Sequence, residues 1–110
     1  GAVASLDVLH VCDTAVTDEG LRSLAGLQNV WRLELAGTGI TDAGLQHLAG
    51  MSQLFELNLA RTNVTDAGHE HLARIDALRT HGRLQLQGSA VTPAGLSRYR
   101  ASLPKCEISY

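Results

Sequence analysis

Cysteine is scarce in this chain of 110 residues. Cys12 and Cys106 stand near its opposite ends, and two cysteines do not make a disulfide scaffold; both read as free thiols. Positive charge is not in excess either. The net charge of −2 provides no bulk field to gather phosphates, so nucleic acid is not expected as a partner. No apolar run approaches the ~20 residues that span a bilayer, so no membrane-spanning segment is expected. The opening Gly1-Ala2-Val3-Ala4-Ser5 lacks the charged and apolar regions of a secretion signal. It also lacks a starting methionine, which reads as a chain processed, trimmed or cut from something longer. Catalytic motifs are missing as well: there is no Gly-x-Ser-x-Gly, no phosphate loop and no dinucleotide fingerprint. The chain is therefore read as non-catalytic, with no cofactor and no metal.

What the chain has is a repeat. Val16-Thr17-Asp18-Glu19-Gly20, Ile40-Thr41-Asp42-Ala43-Gly44, Val64-Thr65-Asp66-Ala67-Gly68 and Val91-Thr92-Pro93-Ala94-Gly95 read alike, at steps of 24, 24 and 27 residues. The last step holds three extra residues, most simply placed at 79–83. Each period opens with alternating apolar residues: Leu9 and Val11, Leu33 and Leu35, Leu57 and Leu59, Leu84 and Leu86. Alternation predicts strands with these side chains inward. An apolar residue stands three positions earlier at Leu6, Val30 and Leu54; the fourth such slot holds His81.

The Thr-Asp-x-Gly step predicts a helix start. Thr17, Thr41, Thr65 and Thr92 serve as N-caps, and the aspartate that follows suits the helix dipole. Pro93 replaces that aspartate in the fourth unit, at a position where proline is favoured. The glycine is expected to let each helix approach the strand layer closely. Inward stripes follow at Leu21/Leu24/Leu27, Leu45/Leu48/Met51, His69/Leu72/Ile75 and Leu96/Tyr99/Leu103.

A unit of this size cannot bury its apolar face alone, and a leucine-rich period of this length belongs to stacked repeats. The run from Leu33 through Ile40-Thr41-Asp42-Ala43-Gly44-Leu45 resembles the bacterial leucine-rich-repeat class with Thr-Asp-x-Gly-Leu units of about 24 residues. The resemblance covers nearly the whole chain. It implies an α/β fold: a right-handed leucine-rich-repeat solenoid, with a parallel sheet on the concave side and short helices on the convex side. Residues 1–110 then form a single domain of about four repeats with a closing strand near 106–110, a reading that leaves open a fragment of a longer array. Where many such repeats place asparagine, this chain has Thr14, Thr38, Thr62 and Ser89, whose hydroxyls are read as able to bridge neighbouring turns.

The resemblance implies a binding module for a protein or peptide, working through the concave sheet face and its rim. Outward strand residues form three columns: Val8, Arg32, Glu56, Arg83; His10, Glu34, Asn58, Gln85; and Cys12, Ala36, Ala60, Gln87. The candidate contact residues are Arg32, Glu34, Glu56, Asn58, Arg83 and Gln85, with Trp31 and Phe55 as anchors if exposed on the rim; simple alternation would instead turn both rings towards the core edge. The alternating signs of Arg32, Glu56 and Arg83 equally allow the charges to satisfy one another. His69 replaces an inward leucine and reads as a satisfied histidine; a His10–Cys12 pair reads as two surface residues. Asn63-Val64-Thr65 matches a glycosylation sequon and is taken as chance.

The ends suggest an alternative. No polar cap is recognisable before Leu6, so the first strand is expected to present an open edge. The chain is then a structural unit able to self-assemble through its solenoid ends, as a homo-oligomer in rings or filaments.

Overall fold

A computed structural model describes residues 17–24 and 30–110 in full, together with the backbone of 7–10. The elements run β1 (Asp7–His10), α1 (Asp18–Leu24), β2 (Val30–Glu34), α2 (Asp42–Leu45), β3 (Glu56–Asn58), α3 (His69–Leu72), α4 (Asp76–His81), β4 (Arg83–Gln85), α5 (Pro93–Ser102) and β5 (Glu107–Ser109). A 3₁₀ segment follows α2 at Gln46–Gly50, and another leads into α3 at Asp66–Gly68.

The five strands make one sheet in chain order, each parallel to the next. Parallel neighbours require a crossover, and the short helices supply it on one side of the sheet. The register sets equivalent residues side by side. Leu9, Leu33, Leu57, Leu84 and Ile108 share one line, and Arg32, Glu56, Arg83 and Glu107 another. This is the α/β solenoid that the repeats predict. Leu33, Leu35, Leu57, Leu59, Leu84 and Leu86 are buried against Leu45, Leu48, Met51, Leu72, Ile75 and Tyr99 from the helical side, in one continuous core. The first unit adds Leu21 to that core, with Leu24 packed at its edge; Leu6, Val11, Thr14 and Leu27 lie outside the described residues.

Unit is tied to unit by the Thr-Asp step, in a way that differs from the expected local role of the aspartate. The Asp18 carboxylate accepts the backbone N–H and the hydroxyl of Thr41, one unit further on, at 2.8 and 2.5 Å. Asp42 accepts the N–H of Thr65 at 2.8 Å and its hydroxyl as well. Asp66 accepts both from Thr92, at 2.7 and 2.6 Å. Each of these threonines also caps its own helical segment, accepting the N–H of Ala43, Ala67 or Gly95. In the fourth unit Pro93 takes the place of this aspartate and offers no carboxylate.

The repeated glycine makes room for this link, not for the strand layer. A Cβ on Gly44 would collide with the Asp18 carboxylate and Leu21, and one on Gly95 with Asp66. On Gly68 it would lie 2.7 Å from Asp42 Oδ1 and 2.6 Å from the Tyr99 hydroxyl oxygen. The Thr38, Thr62 and Ser89 hydroxyls do not bridge turns. Each donates to a carbonyl three residues back in its own turn, that of Leu35, Leu59 or Leu86, at 2.7 Å.

The three extra residues fall between Leu78 and Leu84, as the spacing places them, and the chain winds them into α4. Leu78 occupies the buried place of Leu54, so His81, expected in that slot, is exposed. Gly82 ends α4 so tightly that a Cβ there would lie 2.5 Å from both the Cα and the carbonyl oxygen of Leu78.

Candidate interaction face

Outward side chains of adjacent strands lie close enough to touch, at a spacing of ~4.8 Å. On this face they form a chain of ion pairs. Arg32 Nε lies 2.7 Å from Glu34 Oε1 and 3.0 Å from Glu56 Oε2. Arg83 reaches Glu56 at 3.6 Å and Glu107 at 3.5 Å. The other Glu34 oxygen accepts from Asn58 Nδ2 at 2.8 Å, and Asn58 Oδ1 accepts the Ala60 N–H at 3.0 Å. Gln85 sits half-buried beside Asn58 in the same column. The hydrogen bond to Glu34, with the charges of Glu34 and Glu56, holds the Arg32 guanidinium above its ordinary value despite some desolvation. Exposure differs along the face: the Glu34 side chain is 9% exposed and Glu56 20%, against 41% for Arg32, 64% for Arg83 and 75% for Glu107.

Immediately before Arg32 and Glu56 in the chain stand two aromatic residues. Trp31 in β2 and Phe55 just before β3 hold equivalent places and are half-buried. Their rings stack with centroids 5.0 Å apart and planes at 16°. His81 continues the row, its ring 5.8 Å from that of Phe55. The register thus sets Arg32, Glu56 and Arg83 in one line and Glu34, Asn58 and Gln85 in another, while Trp31 and Phe55, one residue before Arg32 and Glu56, stack on each other. Two neighbours escaped the sequence reading. Glu107 was legible from the alignment of Ile108 with Leu84, one residue on. His81 was not, because the insertion moves it out of the slot that the period assigns it.

The remaining candidates lie apart from this face. His69 is half-buried on the helical side, with Nδ1 2.6 Å from Ser102 Oγ and its ring edge-on to Tyr99. His71 Nδ1 is shielded from solvent without a hydrogen-bond partner among the described residues. Among those residues no three His, Cys, Asp or Glu side chains converge as a metal site would require. Burial, helped by Glu107, pushes the Cys106 thiol up to about 11, which keeps it protonated near neutrality. Cys12 and the His10 side chain fall outside the described parts. Asn63 is exposed, while the Thr65 hydroxyl of its sequon is held by Asp42. No helix among the described residues is long and apolar enough to cross a membrane.

Comparison with known proteins agrees with this architecture. A family model described as leucine-rich repeat matches residues 27–49, which span β2 and α2. Among solved structures, an LRR protein of Leptospira interrogans is similar in fold, with a TM-score of 0.56 and 21% identity. The match covers 81% of this chain and 27% of that one, so the chain spans about a quarter of its length. No curated protein matches the sequence. With the repeat and the parallel sheet, one unit carries the leucine-rich-repeat pattern and the fold is that of a leucine-rich-repeat solenoid.

Proposed function

We propose that this chain is a non-catalytic protein-binding module, and that its contact surface is the concave face with the Trp31–Phe55 rim. Family and fold point to protein interaction at the coarser level. The finer reading rests on one observation, the stacked pair of half-buried rings at equivalent positions of neighbouring units. The charges of the polar column are committed to one another, and exposed ion pairs of this kind contribute ~0–1 kcal/mol each. The binding energy is therefore assigned to the rings, and the polar column to register and selectivity.

The test is selection of binding peptides from a display library, with the contacts then mapped by NMR. The expected shifts cluster on β2–β4, Trp31 and Phe55. Trp31→Ala should weaken binding about tenfold or more with the far-UV spectrum unchanged, the loss of a central aromatic anchor. Shifts confined to the helical side, or binding lost only as the chain unfolds, would overturn the reading.

A further inference from the structure

The insertion that forms α4 also extends the row of rings. Trp31 and Phe55 stand immediately before Arg32 and Glu56, and Gly82 stands in the same place before Arg83. No side chain fits there, since a Cβ on Gly82 would lie 2.5 Å from the Cα and the carbonyl oxygen of Leu78. The ring beside Phe55 comes instead from His81, the last residue of α4, with centroids 5.8 Å apart. The two nitrogens of that ring are not equivalent. The Thr80 hydroxyl donates its single hydrogen to the Asp76 carbonyl at 2.9 Å. Towards His81 Nδ1, also 2.9 Å away, the same oxygen can then only accept. Nδ1 therefore holds its proton whether the ring is neutral or charged. His81 is exposed, and its Nε2 has no hydrogen-bond partner among the described residues.

We propose that His81 sets the selectivity of the ring row: in its neutral form Nε2 presents a lone pair and accepts a hydrogen bond from a backbone N–H of an extended peptide laid along Trp31 and Phe55. This rests on the binding face proposed above and adds to it a polar contact at the end of the row. Protonation reverses the role of Nε2. The imidazolium is a donor at both nitrogens and has no lone pair, so it meets the peptide's donor with another. The charged groups of the surrounding elements are largely paired already. On α4 Asp76 and Arg79 lie 2.9 Å apart, with exposed Arg74 just before the helix. Across β3 to β5, Arg83 pairs with Glu56 at 3.6 Å and with Glu107 at 3.5 Å. Carboxylates and guanidinium groups ordinarily keep their charge between pH ~5.5 and ~8, the range in which an imidazole changes its own. Acid therefore loosens the contact through His81, and Thr80, which fixes the tautomer, acts as a positioning residue.

The tautomer is read first, on the free chain, by NMR of the ring nitrogens at pH ~8. The expected neutral form carries its proton on Nδ1; a neutral ring protonated on Nε2 overturns the proposal, whatever the variants do. Peptides selected at pH ~8 that shift the Trp31 and Phe55 signals are the probe for the second arm. His81→Phe keeps a ring against Phe55 and should weaken them about threefold to tenfold at pH ~8, the worth of one hydrogen bond. It should also abolish most of the affinity loss that the native chain shows at pH ~5.5. Thr80→Val should weaken the same peptides and let the proton move to Nε2, while Thr80→Ser, which keeps the hydroxyl, should do neither. Peptides held equally well by the native chain and His81→Phe overturn this proposal and leave the binding face standing. Failure to select any peptide on the ring row overturns both.

Discussion

The Asp66 carboxyl sits below the ordinary aspartate value because the Thr92 hydroxyl donates to it, and secondly because the Thr92 backbone N–H does. A group whose value is lower folded than unfolded favours the folded chain when it is ionised. That contribution is complete above the unfolded aspartate value, about 3.9, and fades as pH falls through the folded value. Acidification across this window should therefore lower the urea midpoint of the native chain more than that of Asp66→Asn, whose amide does not titrate. Parallel loss of stability in the two would show that Thr92 does not select the ionised form. The sequence placed these threonines at helix entrances correctly, because an N-cap is a local device. It did not disclose the second partner of each aspartate, which lies about one unit away along the chain and becomes a neighbour only when units stack. The glycine was misread for the same reason: the atoms that would crowd its Cβ belong to neighbouring units, the preceding one at Gly44 and Gly95 and both neighbours at Gly68.

Strand positions were open to sequence reading because alternation and register repeat the same statement several times. Leu33, Leu57 and Leu84 align in the sheet as they do in the repeat. The element α4 was not, since an insertion breaks the period that supports every other assignment. The rim row of rings is a property of neighbouring elements too. Even spacing of Trp31 and Phe55 showed that they share a column, but alternation gave no account of ring against ring. In a double-mutant cycle of Trp31→Ala and Phe55→Ala, the expected coupling is about 0.5–1.5 kcal/mol, the worth of an aromatic pair beyond its burial. Strictly additive losses would mean that each ring is held by its own strand alone. The turn after β3 offers a related contrast. Gly37 after β2 and Gly88 after β4 take positive φ, and Arg61 takes φ 57 at the equivalent place after β3. Its Cγ lies 3.0 Å from the point a Cβ on Gly88 would occupy, so the glycine leaves space for the arginine stem of the unit before.

At the scale of the whole molecule, stability is a sum of similar units and the interfaces between them. Inner units have two neighbours, while the β5 side has one among the described residues. Amide exchange should follow that order. The Leu57 and Leu59 amides, inside the sheet, are expected to exchange slowest, and Ile108, its N–H turned outward, fastest among the strand residues. Uniform protection across β2 to β5 would mean that the sheet opens only as a whole. The solenoid itself was legible, since no other arrangement hides a leucine pattern of this period. The choice of working face was not, because outward residues obey no burial rule.

The Thr–Asp link also gives the molecule interchangeable parts. Thr41 with Asp42 and Thr65 with Asp66 each receive a carboxylate from behind and offer one ahead, so their junctions carry the same fitting on both sides. A duplicated stretch of 24 residues spliced at such a junction finds its connection already made and lengthens the coil without redesign. Pro93 offers no carboxylate ahead, so a copy spliced directly after the fourth unit would lack this fitting, whereas one spliced between the earlier units would not.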